Sequence, residues 1–192
     1  MFGDAVENDR NWRTEKMDAV APVKTSEQMF NGKVWLLNLD MVEAHTGRII
    51  DYVFSDISDI GTSTCAFDEE NVLYSKLRPY LNKVVVPNRK GFSTSELVPL
   101  KPKKDLLNRH FFAHLLRSHS FVAYISEKVA GAKMPRVSMN VFRDFNCILP
   151  PLDLQNQFAA FVAQTDKSKL AVQKSLEQLE TLKKSLMQKY FG

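Results

Sequence analysis

The chain has 192 residues, of which 44% are hydrophobic and 25% charged, a composition typical of a globular protein with one sizeable core. It contains no run of 18 apolar residues and no secretory signal at its polar N-terminus, so we expect a cytoplasmic protein that does not span a membrane. The net charge of +4 is unevenly distributed, because residues 36–71 carry eight acids and one base whereas residues 72–110 carry nine bases and two acids.

The first half of the chain predicts a series of short strands. Residues 1–33 are polar and predict a loop, with Trp12 and Met17 as anchors. Pro87 to Gly91 is typical of a basic loop tip between two strands. The runs that predict strands are rich in β-branched and aromatic residues and bounded by Gly, Pro, Asn or Asp; they are 34–40, 49–54, 71–77, 82–87 and 95–100.

The apolar spacing becomes helical from Leu106 onwards and predicts helices over about 106–130, with Gly131 just past their end. Residues 131–140 are irregular and basic, and residues 143–149 predict one more strand. Pro150 and Pro151 then interrupt any strand and close the globular part of the chain.

The rest of the chain predicts a single helix from about Leu152 to Tyr190, with a seven-residue apolar repeat when Phe158 is taken as position a. Such a helix would be about 60 Å long, so its apolar stripe calls for a partner helix; the alternative is a helix that lies wholly on its own domain. The stripe and its flanks comprise Phe158, Phe161, Val162, Thr165, Val172, Leu176, Leu179, Leu182 and Leu186.

These elements together predict an α+β fold in two parts. Residues 1–150 form a globular domain with a mixed, twisted sheet and packed helices, and residues 151–192 form a long coiled-coil helix. The basic residues of 72–110 and 128–143 are typical of a surface that faces a polyanion. The alternative is that the acidic and basic segments pack together and neutralise each other.

The sequence gives little support for catalysis. His110 and His114 lie four apart but lack the neighbouring Glu or Cys/His spacing of a zinc site. Seven glycines leave no phosphate-binding loop, and there is no nucleophile elbow. Asp51, Asp56 and Asp59 could hold Mg²⁺ in a nuclease, although their spacing fits no motif. We therefore expect no catalytic residue, no metal and no cofactor.

Two stretches carry a resemblance to a known family. The segment 71–86, NVLYSKLRPYLNKVVV, followed by STSELVPLKP at 93–102, resembles the target recognition domain of type I restriction–modification DNA specificity subunits. Residues 131–162 resemble the same family's signature, in which a polar loop, a short helix and a strand precede Pro-Pro-Leu-x-x-Gln at the start of a long helix. Here that motif is Pro150, Pro151, Leu152 and Gln155, and the resemblance runs from about residue 12 to the end.

The resemblance implies a protein that selects DNA sites and does no chemistry. Family members usually carry two recognition domains and two long antiparallel helices, whereas this chain has one of each. Its Phe-Gly pairs at 2–3 and 191–192 match the element that joins such repeats, so we expect one repeat, either a natural half-subunit or a fragment of a longer one. The implied partners are double-stranded DNA, methyltransferase (modification) subunits that use S-adenosylmethionine, the restriction subunit where one is present, and a second copy or second recognition half.

The predicted DNA-binding residues lie in two loops, 76–95 and 131–140. An Arg fork can bind guanine and Asn can bind adenine, whereas Lys and hydroxyl groups suit phosphate. For each residue the alternative is a solvated charge, or a hydroxyl that ties down its own loop; Arg78 and Arg136 rank highest. The full set is Lys76, Arg78, Tyr80, Lys83, Arg89, Lys90, Ser93, Thr94 and Ser95 in the first loop, and Lys133, Arg136, Ser138 and Asn140 in the second.

Two other functions stay open at this point. One is a protein-interaction module, or scaffold, that does not read DNA. The other is a stand-alone DNA endonuclease, which would depend on a metal ion. Salt dependence of DNA binding separates the first from a DNA reader, because only phosphate neutralisation releases counterions.

Overall fold

The computed structural model describes residues 1–129 and 134–192, and the chain has an α+β fold. The described strands are β1 Thr14–Lys16, β2 Lys33–Leu37, β3 Val53–Asp56, β4 Thr64–Phe67, β5 Val72–Ser75, β6 Val84–Val85, β7 Gly91–Thr94, β8 Leu97–Leu100 and β9 Asn146–Ile148. The described α-helices are α1 Met17–Val20, α2 Arg109–Arg117, α3 His119–Glu127, α4 Met139–Arg143 and α5 Leu152–Phe191.

The strands form three small sheets. The largest has the order β3-β2-β7-β4, the second β6-β5-β8, and the third pairs β1 with β9. Within the largest sheet β2 and β7 are parallel, whereas the other pairs in the three sheets are antiparallel. The predicted α+β class with a mixed sheet and a long C-terminal helix is confirmed, and the mixed sheet is the four-stranded one.

Strand β7 occupies a segment whose polar residues had predicted a loop. A Cβ on Gly91 would lie 2.5 Å from the carbonyl oxygen of Trp35, so the absence of a side chain allows β7 to approach β2. Ser93 is fully buried in this strand, and its hydroxyl donates to the carbonyl oxygen of Leu97 at 3.2 Å. Because polar Ser93 occupies a buried position, β7 lacks the alternation of apolar and polar residues by which a sequence pattern predicts a strand.

The N-terminal segment is more ordered than the predicted loop. Residues 14–16 form β1 and pair with residues 146–148 of β9, which lie near the C-terminal end of the globular part of the sequence. The two anchors are confirmed: Met17 is fully buried, and the indole Nε1 of Trp12 donates to the carbonyl oxygen of Phe2 at 2.9 Å. The predicted loop over 1–33 was therefore wrong at these positions, because pairing with β9 lies far beyond any local window.

The predicted helical stretch over 106–130 divides into α2 and α3 at Ser118. The Ser118 hydroxyl accepts from the backbone nitrogen of Phe121 at 3.3 Å and so caps α3. Asn108 caps α2 in the same way by accepting from the backbone nitrogen of His110 at 2.8 Å. Gly131, the predicted end of the stretch, lies outside the described residues.

An aromatic cluster fixes α4 beside strand β5. The rings of Tyr74 and Phe142 have centroids 4.6 Å apart, and those of Phe121 and Phe145 are 4.9 Å apart. Because Phe142 belongs to α4 and Tyr74 to β5, this packing holds the segment that precedes α4 close to the end of β5.

The first turn of α5 is tied to the chain before it by the buried side chain of Gln155. Its Oε1 accepts from the backbone nitrogen of Asn108 at 2.9 Å. Its Nε2 donates to the carbonyl oxygens of Leu106, at 3.0 Å, and Pro150, at 2.8 Å. All the polar atoms of the amide are therefore used, which explains why a polar side chain is stable in this buried position.

The chain divides into two compact units, Met1–Gln155 and Asn156–Gly192. The first contains the sheets and the core, including Trp35, Phe67 and Leu97. The second is the remainder of α5, and the predicted helix over 152–190 is confirmed to within one residue. None of the described helices is both long and apolar enough to cross a membrane.

Candidate DNA interface

The two predicted DNA-binding loops lie side by side. The backbone nitrogen of Arg78 donates to the carbonyl oxygen of Pro135 at 2.8 Å, and that of Val137 donates to the carbonyl oxygen of Lys76 at 2.8 Å. The backbone nitrogen of Lys76 in turn donates to the carbonyl oxygen of Glu96 at 3.0 Å. We call residues 76–82 and 134–140 the paired loops, since backbone hydrogen bonds join them although they are far apart in sequence.

Arg78 begins a tight corner of the first paired loop. Residues Pro79–Leu81 form a 3-10 turn between Arg78 and Asn82, which both adopt left-handed backbone angles with φ of 48° and 50°. A non-glycine residue in this region costs about 1 kcal/mol or more, and such strain is often found at functional positions. The Asn82 amide donates to the carbonyl oxygen of Arg117 at 3.0 Å and secures the corner, while Arg78 and Tyr80 are exposed.

The second paired loop contributes an arginine that is held by an acid. The guanidinium of Arg136 lies 2.8 Å from Oε1 of Glu96, and the two side chains are 57% and 22% exposed. Ser138 and Asn140 are exposed at the start of α4, and the Ser138 hydroxyl makes no capping hydrogen bond to the helix. Lys133, which was also predicted to bind DNA, lies outside the described residues.

Arg89 and Lys90 are exposed in the loop between β6 and β7, but both have contacts within the protein. The guanidinium carbon of Arg89 lies 5.1 Å from the ring centroid of Tyr52. The ammonium of Lys90 donates to the carbonyl oxygen of Met29 at 2.8 Å and lies 5.3 Å from the ring centroid of Phe30. These contacts orient the two cations without burying them.

Three other predicted residues of the first loop lie partly or wholly inside the fold. Ser93 is fully buried, so the prediction that it contacts DNA was wrong; its hydroxyl stabilises the β7–β8 connection instead. Lys83 is half-buried, its ammonium donates to the carbonyl oxygen of Leu39 at 2.8 Å, and burial lowers its pKa. The Thr94 hydroxyl is buried as well, whereas Ser95 is exposed in the turn that follows β7.

Part of the basic segment is neutralised by the acidic one. Glu70 pairs with Lys101 at 2.8 Å and also with Lys104, and these bonds lower the pKa of Glu70 to about 2. Arg109 donates to the carbonyl oxygens of Glu69 and Pro87. The alternative that acidic and basic segments neutralise each other therefore holds for Glu70, Lys101 and Lys104. The positive charge of the paired loops has no comparable acidic partner among the described residues apart from Glu96.

The described part of the chain contains no metal site that would support the nuclease alternative. Within residues 1–129 and 134–192, no group of three His, Cys, Asp or Glu side chains is placed to hold a metal ion. The Asp51 carboxylate accepts from the backbone nitrogen of Tyr52 at 2.8 Å, and that of Asp59 accepts from the Ser58 hydroxyl at 3.3 Å.

The apolar stripe of α5 is largely exposed in the single chain. Phe161 is 69% exposed and Leu179 61%, while Phe158, Val162 and Thr165 are partly buried. Thr165, Ser168 and Ser175 donate their hydroxyls to the carbonyl oxygens four residues earlier, so these polar members of the repeat are satisfied within their own helix. The remaining stripe residues Val172, Leu176, Leu182 and Leu186 are 59%, 56%, 54% and 44% exposed.

The sequence of the chain decides its family. The model of the type I restriction modification DNA specificity domain matches residues 57–181, which is well over half of the chain. The chain belongs to this family. The resemblance drawn from residues 71–86, 93–102 and 131–162 is thereby confirmed, because all three segments lie within the matched residues.

Curated members of the specificity family are similar over part of their length. The type I restriction enzyme EcoDI specificity subunit of Escherichia coli is 23% identical over 187 residues, which are 94% of this chain and 41% of that protein. The MjaVIII specificity subunit of Methanocaldococcus jannaschii is 26% identical over 103 residues, or 54% of this chain and 24% of that protein. This specificity-family chain thus spans less than half the length of these relatives.

Solved specificity subunits share the fold. The HsdS subunit from Thermoanaerobacter tengcongensis superposes with a TM-score of 0.70 at 18% identity, covering 94% of this chain and 48% of that one. A chain of a type I R-M system gives 0.70 at 16%, covering 93% and 48%, and the S subunit from M. genitalium gives 0.60 at 14%, covering 94% and 46%. The chain therefore spans about half of each of these solved chains, and the curated relatives that it matches are named specificity subunits.

Within the specificity-family domain, the structure adds one residue to the predicted site. Glu96 lies between two segments of basic residues and touches both paired loops, through its carbonyl oxygen to Lys76 and its carboxylate to Arg136. Cations, amides and hydroxyls are the side chains expected to bind DNA, so sequence patterns alone do not select this acid. Its isolation among bases between Arg89 and Lys101 is the signal that could have revealed it.

Proposed function

We propose that this specificity-family chain binds one half of a bipartite duplex DNA target and that two such halves are joined through α5. In this proposal residues 1–150 carry the DNA-binding surface and residues 151–192 pair the halves. The assembled protein directs adenine methyltransferase and restriction subunits to the site and has no catalytic step of its own. Because the proposed target is cellular DNA, the proposed location of the protein is the cytoplasm.

The observation that carries this proposal is the hydrogen-bonded pairing of the two basic loops. Lys76, Arg78 and Arg136 lie on adjacent backbone segments, which brings cations from distant parts of the sequence close together, and we infer that they share one surface. Backbone pairing gives this surface a fixed geometry, which base contacts require more than phosphate contacts do. Tyr80, Ser138 and Asn140 are exposed on the same loops and add groups that can contact bases or phosphates.

A second function, contact with a protein partner, is supported by a different surface. Tyr52 lies just before the edge strand β3 and Phe54 lies within it, and their side chains are 40% and 48% exposed. The exposed acids Asp51 and Asp56 flank them. Although the guanidinium of Arg89 lies over the Tyr52 ring, the carboxylates on either side repel phosphate, so these exposed aromatic side chains suit a protein partner. The two functions are compatible, since a specificity subunit contacts both DNA and other subunits.

The salt dependence of duplex binding tests the proposed function. Fluorescence anisotropy with a labelled 30-base-pair random duplex should show an affinity about 100-fold lower at 200 mM than at 50 mM salt, as expected for about four phosphate contacts. A change below about threefold, or no binding at 50 mM salt, would contradict DNA reading and favour the protein-interaction function.

Replacing Arg78 with glycine should weaken binding to a target duplex selected by the wild type by about 1–3 kcal/mol, or roughly 5- to 150-fold. Glycine removes the guanidinium but accepts the φ of 48° without strain. Thermal stability should therefore be unchanged or slightly higher, which separates a binding effect from a folding effect. Anisotropy gives the affinity, and circular dichroism gives the Tm.

Lys103→Ala is the matched control for this loss of one charge. Lys103 is exposed and lies outside the paired loops, and its hydrogen bonds to Val20, Leu106 and Leu107 are made by its backbone, which alanine retains. Its replacement should change target affinity by less than about threefold, because a distant exposed charge is screened by salt. Equal affinities for wild type and Arg78→Gly would remove Arg78 from the DNA-binding residues.

A further inference from the structure

We propose that Glu96 is a positioning residue that determines specificity. It orients the Arg136 guanidinium for a base contact and offsets the positive charge of Arg136 that would otherwise attract DNA phosphates. The inference rests on the proposed function, because it assigns a role within the same DNA-binding surface. It concerns an acid that would ordinarily be expected to oppose DNA binding.

The position of Glu96 is fixed at two points. Its carbonyl oxygen accepts from the backbone nitrogen of Lys76 at 3.0 Å, which places it beside the first paired loop. Its Oε1 lies 2.8 Å from the guanidinium of Arg136 in the second. The other carboxylate oxygen, Oε2, is buried and has no hydrogen-bond partner among the described residues, so the carboxylate presents Oε1 to Arg136 while its second oxygen faces the protein.

This geometry affects the two kinds of DNA contact differently. A guanidinium has five N–H donors, so Arg136 can keep its bond to Glu96 and still direct a pair of donors at a base. A side chain already held in place loses less conformational freedom when the base contact forms. A phosphate contact depends instead on net charge, which the Glu96 carboxylate cancels locally. The pair therefore favours base contact over phosphate contact.

The test compares a target duplex selected from a randomised pool by the wild type with a random duplex, each over a range of salt concentrations. For Glu96→Gln, affinity for the random duplex should rise roughly 3- to 10-fold, and its logarithmic salt dependence should steepen by about 0.9, as for one added phosphate contact. The ratio of target to random affinity should fall roughly tenfold. In an Arg136→Ala background, Glu96→Gln should leave the ratio unchanged.

Asp105→Asn is the matched control, because Asp105 is exposed and is the other acid of the basic segment 72–110. Asp105→Asn changes the net charge by the same amount as Glu96→Gln and should leave the ratio of target to random affinity as in the wild type. The proposal is overturned if Glu96→Gln leaves the ratio unchanged, if Asp105→Asn lowers it equally, or if Glu96→Gln weakens both duplexes together with a lower Tm. Failure of the wild type to bind either duplex contradicts the proposed function itself, and this inference with it.

Discussion

The double variant Leu179→Asp/Leu186→Asp should be a monomer of 22.0 kDa at concentrations where the wild-type chain is a dimer of about twice that mass. The two leucines are 61% and 44% exposed in the single chain and occupy position a of the seven-residue repeat. Burial of a leucine contributes about 1.5–3 kcal/mol, and a two-fold dimer buries each position twice. Because the two leucines are only about half exposed before pairing, the expected loss over the four positions is about 3–6 kcal/mol, which raises the dimer Kd at least about a hundredfold.

Leu170→Asp is the matched control for the helix variant. Leu170 is 58% exposed but lies at position f, on the side of α5 opposite the stripe. The same substitution there should leave the mass of the dimer unchanged in sedimentation equilibrium. A wild-type chain that stays monomeric at 100 µM would contradict homodimer formation and leave a second recognition half as the partner of α5. A double variant as dimeric as the wild type would show that pairing uses another surface.

Replacing Gln155 with leucine should lower the Tm by about 5–12 °C. The amide of Gln155 accepts from the backbone nitrogen of Asn108 and donates to the carbonyl oxygens of Leu106 and Pro150, and leucine can make none of these three hydrogen bonds. A hydrogen bond contributes about 1 kcal/mol to stability, so the loss of all three is expected to cost about 3 kcal/mol. The position of this glutamine in the Pro-Pro-Leu-x-x-Gln signature is then explained by its role in fixing the first turn of α5.

Gln157→Leu provides the comparison, because Gln157 is exposed on the same helix two residues further on. Its Tm, measured by circular dichroism, should stay within about 2 °C of the wild type, as is usual for a surface substitution. Equal melting temperatures for Gln155→Leu and Gln157→Leu would show that the hydrogen bonds of Gln155 do not stabilise the start of α5.

Local patterns predict the helices well and the strands less well. Helix α5 was predicted because nearly 40 residues contain neither Gly nor Pro and repeat every seven positions. Strand β1 was missed because it is three residues long and pairs with β9 from near the end of the globular part. Strand β7 was missed because buried Ser93 breaks the alternation. Such pairing depends on distant partners, which a local window does not contain.

The candidate interface shows a similar division. Charge and loop composition selected Arg78 and Arg136 from the sequence. The backbone bonds that bring their segments together join residues 57 and 61 positions apart, and no local pattern predicts them. Nor does composition distinguish Lys101, which Glu70 neutralises, from Lys76, which has no ion pair among the described residues. The sequence therefore predicts which kinds of side chain are available, and the tertiary fold determines which of them face outward.

Sequencing the duplexes that the wild-type chain selects from a randomised pool tests the proposed function most directly. A dimer that presents two copies of the paired loops should enrich a bipartite motif, with two inverted half-sites and a spacer of constant length between them. Arg78→Gly should lose the preference at one position in each half-site and keep the spacing. A single uninterrupted motif would contradict pairing through α5, and the absence of any enriched motif would contradict DNA reading by the paired loops.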